Sequence, residues 1–160
     1  MREKLLHLLE KNSRMDLKEL AIMLGSSEVE VANEMADMER EGIICGYHTL
    51  INWDNTSDEK VNALIEVSVT PQTGQGFDAI AEKIYKYSEV RSVYLISGKY
   101  DLMVILEGKC LKEVSNFVSE KLSALDAVLS TATHFVLKKY KDHGTIFKSK
   151  TSDERELMTP

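Results

Sequence analysis

Residues 92–108, SVYLISGKYDLMVILEG, constrain the fold more than any other stretch. Two apolar runs flank the polar break Ser97-Gly98-Lys99-Tyr100-Asp101. Before it, Val93, Leu95 and Ser97 alternate with Tyr94 and Ile96; after it, Leu102, Val104 and Leu106 alternate with Met103, Ile105 and Glu107. Period-two patterning around a Gly-containing break predicts a β-hairpin. Both faces of both runs are largely apolar, so the sheet has to be covered on both sides. Helices of the same chain can supply one cover. The other face, expected to carry Tyr94, Ile96, Met103 and Ile105, needs a partner, which points to self-association.

The flanking sequence completes a pattern. Residues 62–70, NALIEVSVT, alternate as a strand that Pro71 stops. A loop with Gly74 and Gly76 leads to a helix in which Phe77, Ile80, Ala81 and Ile84 share a face. After the hairpin, Leu111, Val114, Val118, Leu122 and Leu125 mark a second amphipathic helix, and residues 128–140 read as a long last strand. The order β-α-β-β-α-β is the ferredoxin-like arrangement, with both helices on one face of an antiparallel sheet.

The chain before this is different in kind. Leu5, Leu8 and Leu9, with Leu6 beside them, recur at helical spacing, and Asn12-Ser13-Arg14 breaks the pattern. Asp16 is then an N-cap with Glu19 as its capping-box partner, followed by the stripe Leu17, Leu20, Ala21 and Leu24 and a closing Gly25. Ser27 and Glu30 form a second capping-box candidate, opening a helix that turns Val31, Met35 and Met38 inward. Helix, helix, a tight Gly-containing turn and a third helix is the helix-turn-helix order; a plain three-helix bundle without a ligand fits the same pattern. Ile43 and Ile44 begin an extended piece, and Asp54-Asn55-Thr56-Ser57-Asp58 is a polar break. The expected organisation is α+β: an all-α head over residues 1–50, a linker over 51–60, an α/β sandwich over 61–141 and a polar tail over 142–160.

The combination resembles the Lrp/AsnC family of leucine-responsive and asparagine-type regulators. In the head the matching residues are Leu20-Ala21, Leu24-Gly25, Ser27, Val31, Glu39, Gly42-Ile43-Ile44 and Gly46-Tyr47. In the second segment they are the run from Ser97 to Leu102, Gly108, and Thr131-Ala132-Thr133 leading into Val136-Leu137-Lys138. The resemblance implies a winged helix-turn-helix that binds double-stranded DNA, and a domain that senses a small molecule, typically an amino acid. It implies homodimers that often assemble further, commonly to octamers. Carried onto this chain, it places DNA contacts at Ser26, Ser27, Asn33 and Arg40, with Arg14 at the edge. It places effector contacts at Gly98, Tyr100 and Asp101, with Thr131 and Thr133 beside them. The chemistry is reasonable, since a Gly turn exposes backbone N–H groups to a carboxylate and Asp101 can pair with an ammonium group. The local alternative is that Gly98 supplies a positive φ, Asp101 caps the turn and Tyr100 packs; for Arg40 it is a solvated or ion-paired side chain.

One departure stands out. Residues 1–60 hold 7 Lys+Arg and 13 Asp+Glu, and residues 61–160 hold 13 of each, so the whole net charge of −6 lies in the first 60 residues. Between Asp16 and Gly46, Lys18 and Arg40 face eight acids: Asp16, Glu19, Glu28, Glu30, Glu34, Asp37, Glu39 and Glu41. In the family pattern the positions of Glu34 and Asp37 are usually basic. DNA affinity depends on Lys/Arg–phosphate contacts, so a third helix with this balance is expected to be repelled by the groove walls. The alternative is a head that acts as a partner subunit or a metabolite sensor with weak or no direct DNA binding.

The remaining composition narrows the function classes. The chain has no apolar run of 18 residues and no signal peptide, which predicts a cytoplasmic protein without a membrane partner. Cys45 and Cys110 fit neither a disulfide framework nor a metal spacing, and His7, His48, His134 and His143 are scattered, so neither metal nor cofactor is expected. No catalytic fingerprint appears, so the chain is read as a non-enzyme. Some haem-biosynthesis decarboxylases also resemble the two-domain family. They would need a tetrapyrrole pocket with His and Arg residues, and only His134 and Arg91 offer themselves here.

Overall fold

A computed structural model describes residues 1–58, 60–70 and 76–147. The chain divides into two compact units, Met1–Ile51 and Asn52–Pro160. The loop carrying Gly74 and the tail from residue 148 onward lie outside the described residues.

The first unit consists of three helices: α1 (Arg2–Lys11), α2 (Leu17–Leu24) and α3 (Glu28–Arg40). Their apolar stripes meet in a core of Leu5, Leu9, Leu20, Ala21, Val31 and Met38, each at most 7% exposed. Asp16 caps α2 by accepting from the Glu19 N–H at 2.7 Å. Gly25 closes α2 in the left-handed conformation at φ 63°, where a side chain is strained, and the Ser26 N–H reaches back to the Ala21 carbonyl at 3.0 Å. Ser27 and Glu30 form the complete capping box of α3. This local chemistry sets the tight turn between α2 and α3. The stretch after α3, where a wing is expected, runs without a paired strand among the described residues. It leaves Ile43, Tyr47, Leu50 and Ile51 each at least 40% exposed.

The second unit opens with a single turn of 3-10 helix at Trp53–Asn55. Its elements are β1 (Val61–Val69), α4 (Asp78–Tyr85), β2 (Val90–Leu95), β3 (Leu102–Gly108), α5 (Leu111–Asn116) and β4 (Val128–Phe135). The sheet runs β2-β3-β1-β4 with every pairing antiparallel, which is the ferredoxin-like topology. Alternation along β1 and β3 turns Ala63, Ile65, Val67, Leu102, Val104 and Leu106 toward the helices, where they are buried against Ile80, Ile84, Val114, Phe117 and Leu122. Each of these side chains larger than alanine contributes roughly 1.5–3 kcal/mol of hydrophobic stabilisation.

Three expectations are corrected. The second helix does not continue as a regular α-helix. Residues Phe117–Leu122 form a π-helical turn, with the Ser123 N–H bonded to the Val118 carbonyl at 2.8 Å. Val114 and Leu122 are buried as expected, Phe117 joins them at 3% exposure, Val118 is only partly buried against the same core, and Leu111 is 56% exposed. The last strand ends at Phe135, and a short hairpin, β5 (Lys141–Asp142) and β6 (Thr145–Ile146), spans the expected boundary between sandwich and polar tail. Its turn places His143 and Gly144 at positive φ. Ile96 is not on the uncovered face of β2, because that strand ends at Leu95.

Candidate functional site

Two groups of residues carry the functional chemistry, one in each unit. In the head it is the solvent side of α3. At about 100° per residue, Val29, Asn33, Ala36 and Arg40 form the ridge opposite the buried Val31 and Met38 and the partly buried Met35, and all four are exposed. None of the acids lies on that ridge. Glu30, Glu34, Asp37 and Glu41 follow one flank at helical spacing, while Glu28 and Glu39 follow the other. The total of eight acids therefore misstates what α3 presents outward.

Most of those acids already have donors. Asp16 caps α2, and Glu30 accepts from the Ser26 hydroxyl at 2.5 Å and the Ser27 N–H at 3.1 Å. The Ser26 hydroxyl, then the Ser27 backbone and hydroxyl, hold the Glu30 carboxyl below its usual value. Asp37 pairs with Arg40 at 2.6 Å. Glu34 and Glu41 both pair with Arg2 of α1, Glu41 through Nη1 at 2.7 Å and Nη2 at 3.3 Å. Glu39 accepts from the Tyr47 hydroxyl at 2.8 Å; desolvation first, and this bond second, push the phenol up to about 12.

The residues expected to touch DNA are thus differently occupied. Ser26 and Ser27 are committed to the α3 cap. Arg40 is ion-paired within its own helix, though its side chain remains 74% exposed. Asn33 stands on the outer ridge, and Arg14 is exposed beyond the end of α1. The sequence carries no signal for the role of Arg2, because nothing in the spacing links residue 2 to residues 34 and 41.

In the α/β unit the polar break joins β2 to β3, and Asp101 organises it. The Ile96 N–H donates to the Asp101 carbonyl at 2.8 Å, and the Asp101 N–H donates to the Val67 carbonyl at 3.1 Å. The Asp101 carboxylate accepts from the Val69 N–H at 2.8 Å. The side chain thereby ties the connection to the end of β1. Gly98 does not take a positive φ, and a Cβ there would meet only Ile96 Cγ2 at 3.8 Å, an ordinary contact. Tyr100 is half-buried. Thr131 and Thr133 pair across the sheet with the core residues Val67 and Ile65, so they sit on the helix-facing side of β4. Leu102 and Thr131 both flank Val67, which at one strand spacing on each side puts their backbones about 10 Å apart. The five expected effector residues surround one end of the sheet without forming a single cluster.

The opposite sheet face is uncovered by helices. Leu64, Met103, Ile105 and the half-exposed Tyr94 lie there in cross-strand register with Glu66, Ala132 and His134. His134 Nε2 stands 3.3 Å from Glu66 Oε1. Arg91, at an irregularity of β2, pairs with Glu107 at 2.5 Å. Because β2 and β4 are opposite edges of the sheet, two strands, or about 14 Å, separate the strand of His134 from that of Arg91. Among the described residues no group of three or more His, Cys, Asp or Glu is placed to hold a metal ion, and no helix is long and apolar enough to cross a membrane.

Comparison with known proteins agrees with this geometry. The model of the Lrp/AsnC ligand binding domain matches residues 62–146. The chain is 46% identical over 157 residues to YugG of Bacillus subtilis, named as an uncharacterized HTH-type transcriptional regulator, covering 98% of this chain and 95% of the relative. It is 28% identical over 138 residues to the HTH-type transcriptional regulator LrpA of Pyrococcus abyssi, covering 86% and 94%. Among solved structures, a transcriptional regulator from Neisseria meningitidis in complex with L-Met superposes with a TM-score of 0.69 at 25% identity, covering 92% of this chain and 94% of that one. Escherichia coli AsnC superposes at 0.64 and 21% identity, covering 86% and 91%, and shares the fold.

Proposed function

The chain belongs to the Lrp/AsnC family of HTH-type transcriptional regulators, and from that premise we propose that it binds double-stranded DNA through the outer ridge of α3. The observation that carries this reading is the distribution of charge on α3. Its outward residues are Val29, Asn33, Ala36 and Arg40, with the acids confined to the flanks. An α-helix fits the major groove, where Asn suits an adenine edge, Val a thymine methyl and Arg a guanine or phosphate. Arg14 supplies a phosphate contact at the edge, and Ser26 and Ser27 hold the N-terminus of α3 in place. The cytosol is the compartment in which such a regulator acts, and no enzymatic step is assigned to it.

The α/β unit serves assembly and sensing. The uncovered sheet face with Leu64, Tyr94, Met103 and Ile105 suits a second copy of the chain, giving a homodimer that can assemble further. A small metabolite, an amino acid as in the Neisseria relative, binds beside the connection between β2 and β3. Gly98, Tyr100 and Asp101 approach it, with Thr131 and Thr133 beyond β1 on the edge strand β4. A carboxylate accepts several hydrogen bonds, so holding the Val69 N–H leaves Asp101 capacity for an ammonium group. Preference of the metabolite for one assembly state shifts DNA occupancy.

An anisotropy titration with the DNA upstream of the chain's own coding sequence, at low and moderate salt, tests the first claim. Saturable, salt-sensitive binding is expected, and no binding at low salt refutes direct regulation. A second reading has its own support: Ile22 at 72%, Met23 at 60% and Val29 at 69% exposure sit on either side of the turn between α2 and α3. Apolar side chains there suit a protein surface better than phosphates, and they favour a subunit that tunes a mixed oligomer.

A further inference from the structure

We propose that Arg2 is a positioning residue for DNA recognition, masking the two acids on the α1-facing flank of α3 so that the helix can approach phosphate. This deepens the DNA-binding reading above and rests on it. The guanidinium uses Nε on Glu34 and both Nη groups on Glu41, so three of its donors are committed to two carboxylates about two helical turns apart. Glu34 is only 22% exposed beneath it, and the Glu41 side chain is 47% exposed. Both carboxylates hold the guanidinium above its ordinary range, Glu41 contributing most.

The arrangement matters because of what else compensates this flank. Glu30 is occupied by the serine cap, and Asp37 is paired with Arg40. Arg2 is the cation that reaches Glu34 and Glu41 from outside the helix-turn-helix, and it comes from the first turn of α1. With Arg2 in place the local charge from these three side chains is −1; without it the charge is −2. A bound phosphate backbone alongside α3 lies within about one Debye length of that flank, roughly 8–10 Å at moderate salt. Arg2 contacts no DNA itself. It sets the field that the groove meets and holds α1 against the flank of α3.

A purely structural role and a masking role predict opposite signs, which makes the idea testable. If Arg2 only braces α1 to α3, then Arg2→Gln and the double variant Glu34→Gln/Glu41→Gln weaken the same bond and lower affinity together. If it masks charge, Arg2→Gln lowers affinity, whereas Glu34→Gln/Glu41→Gln raises it. The experiment is fluorescence anisotropy on the full chain and the upstream duplex at about 50 and 200 mM salt, with circular dichroism checking the fold of each variant. Arg2→Gln is expected to weaken binding about 3–10-fold at the lower salt, with the gap closing at the higher one. The double glutamine variant is expected to tighten binding by a similar factor. Arg2→Lys, which keeps the charge and loses the fork, is expected to stay close to the parent chain. Equal affinity of Arg2→Gln and the parent, or weaker binding by both Arg2→Gln and the double variant, overturns the masking role alone. Absence of binding by the parent chain at low salt overturns the DNA-binding reading and this inference with it.

Discussion

The connection between β2 and β3 offers the sharpest test, because Asp101 has a structural task and a proposed ligand task on one carboxylate. The structural task is the acceptor for the Val69 N–H at 2.8 Å, part-buried at the end of β1. Asp101→Ala removes it and leaves that N–H to find water where the strand edge allows. A hydrogen bond to a charged acceptor is worth about 1.5–3 kcal/mol net. The expected loss is therefore about 2 kcal/mol from the α/β unit, since the backbone bonds of residue 101 to Val67 and Ile96 survive the substitution. Asp101→Asn keeps an oxygen in place and removes only the charge, so its expected loss is below about 1 kcal/mol. Urea unfolding of the full chain, followed by circular dichroism, reads both numbers. An ammonium-bearing ligand distinguishes the variants again: Asp101→Asn is expected to remain folded and to lose its response to amino acids. An Asp101→Ala variant with the parent midpoint refutes the anchoring argument, because among the described residues no other side chain supplies that acceptor.

Two further outcomes follow from the same geometry. Phe117→Ala empties a site that is 3% exposed and removes the edge-to-face partner of Tyr87 at 5.3 Å; it is expected to cost about 3–5 kcal/mol in the same urea experiment. Glu30 has a folded pKa held below its usual value of 4.5 by the Ser26 hydroxyl and the Ser27 backbone, so its contribution is fully present above that pH and is lost as pH falls through the lower folded value. Acid melts of the parent and Glu30→Gln are expected to differ in slope below pH 4.5, with the variant less pH-dependent.

The resemblance drawn from motif order agrees with the matched family model and with the full-length relative. Its individual residues were less legible. Thr131 and Thr133 were grouped with the hairpin turn by the family pattern, yet cross-strand register puts them on the helix-facing side of β4. For Gly98 the local alternative is a positive φ, and the connection here takes a path that needs no such conformation. Phe117 and Val118 stand three and four residues beyond Val114, so both lie on the inward face; the period does not choose between them, and packing buries Phe117 to 3% exposure while Val118 is only partly buried.

What the sequence alone determines here is what local chemistry controls. Asp16, Gly25 and the Ser27–Glu30 box start and stop helices through bonds spanning three to five residues, and alternation in residues 62–70 and 92–108 commits them to strands. What only the tertiary structure decides is where charge ends up. Eight acids around α2 and α3 predict repulsion when counted along the chain. Folding turns them to caps and flanks and brings Arg2 across from α1 to two of them. Composition sums charge over a helix, whereas a groove meets only the face presented to it, and that face is set by which side the core has taken.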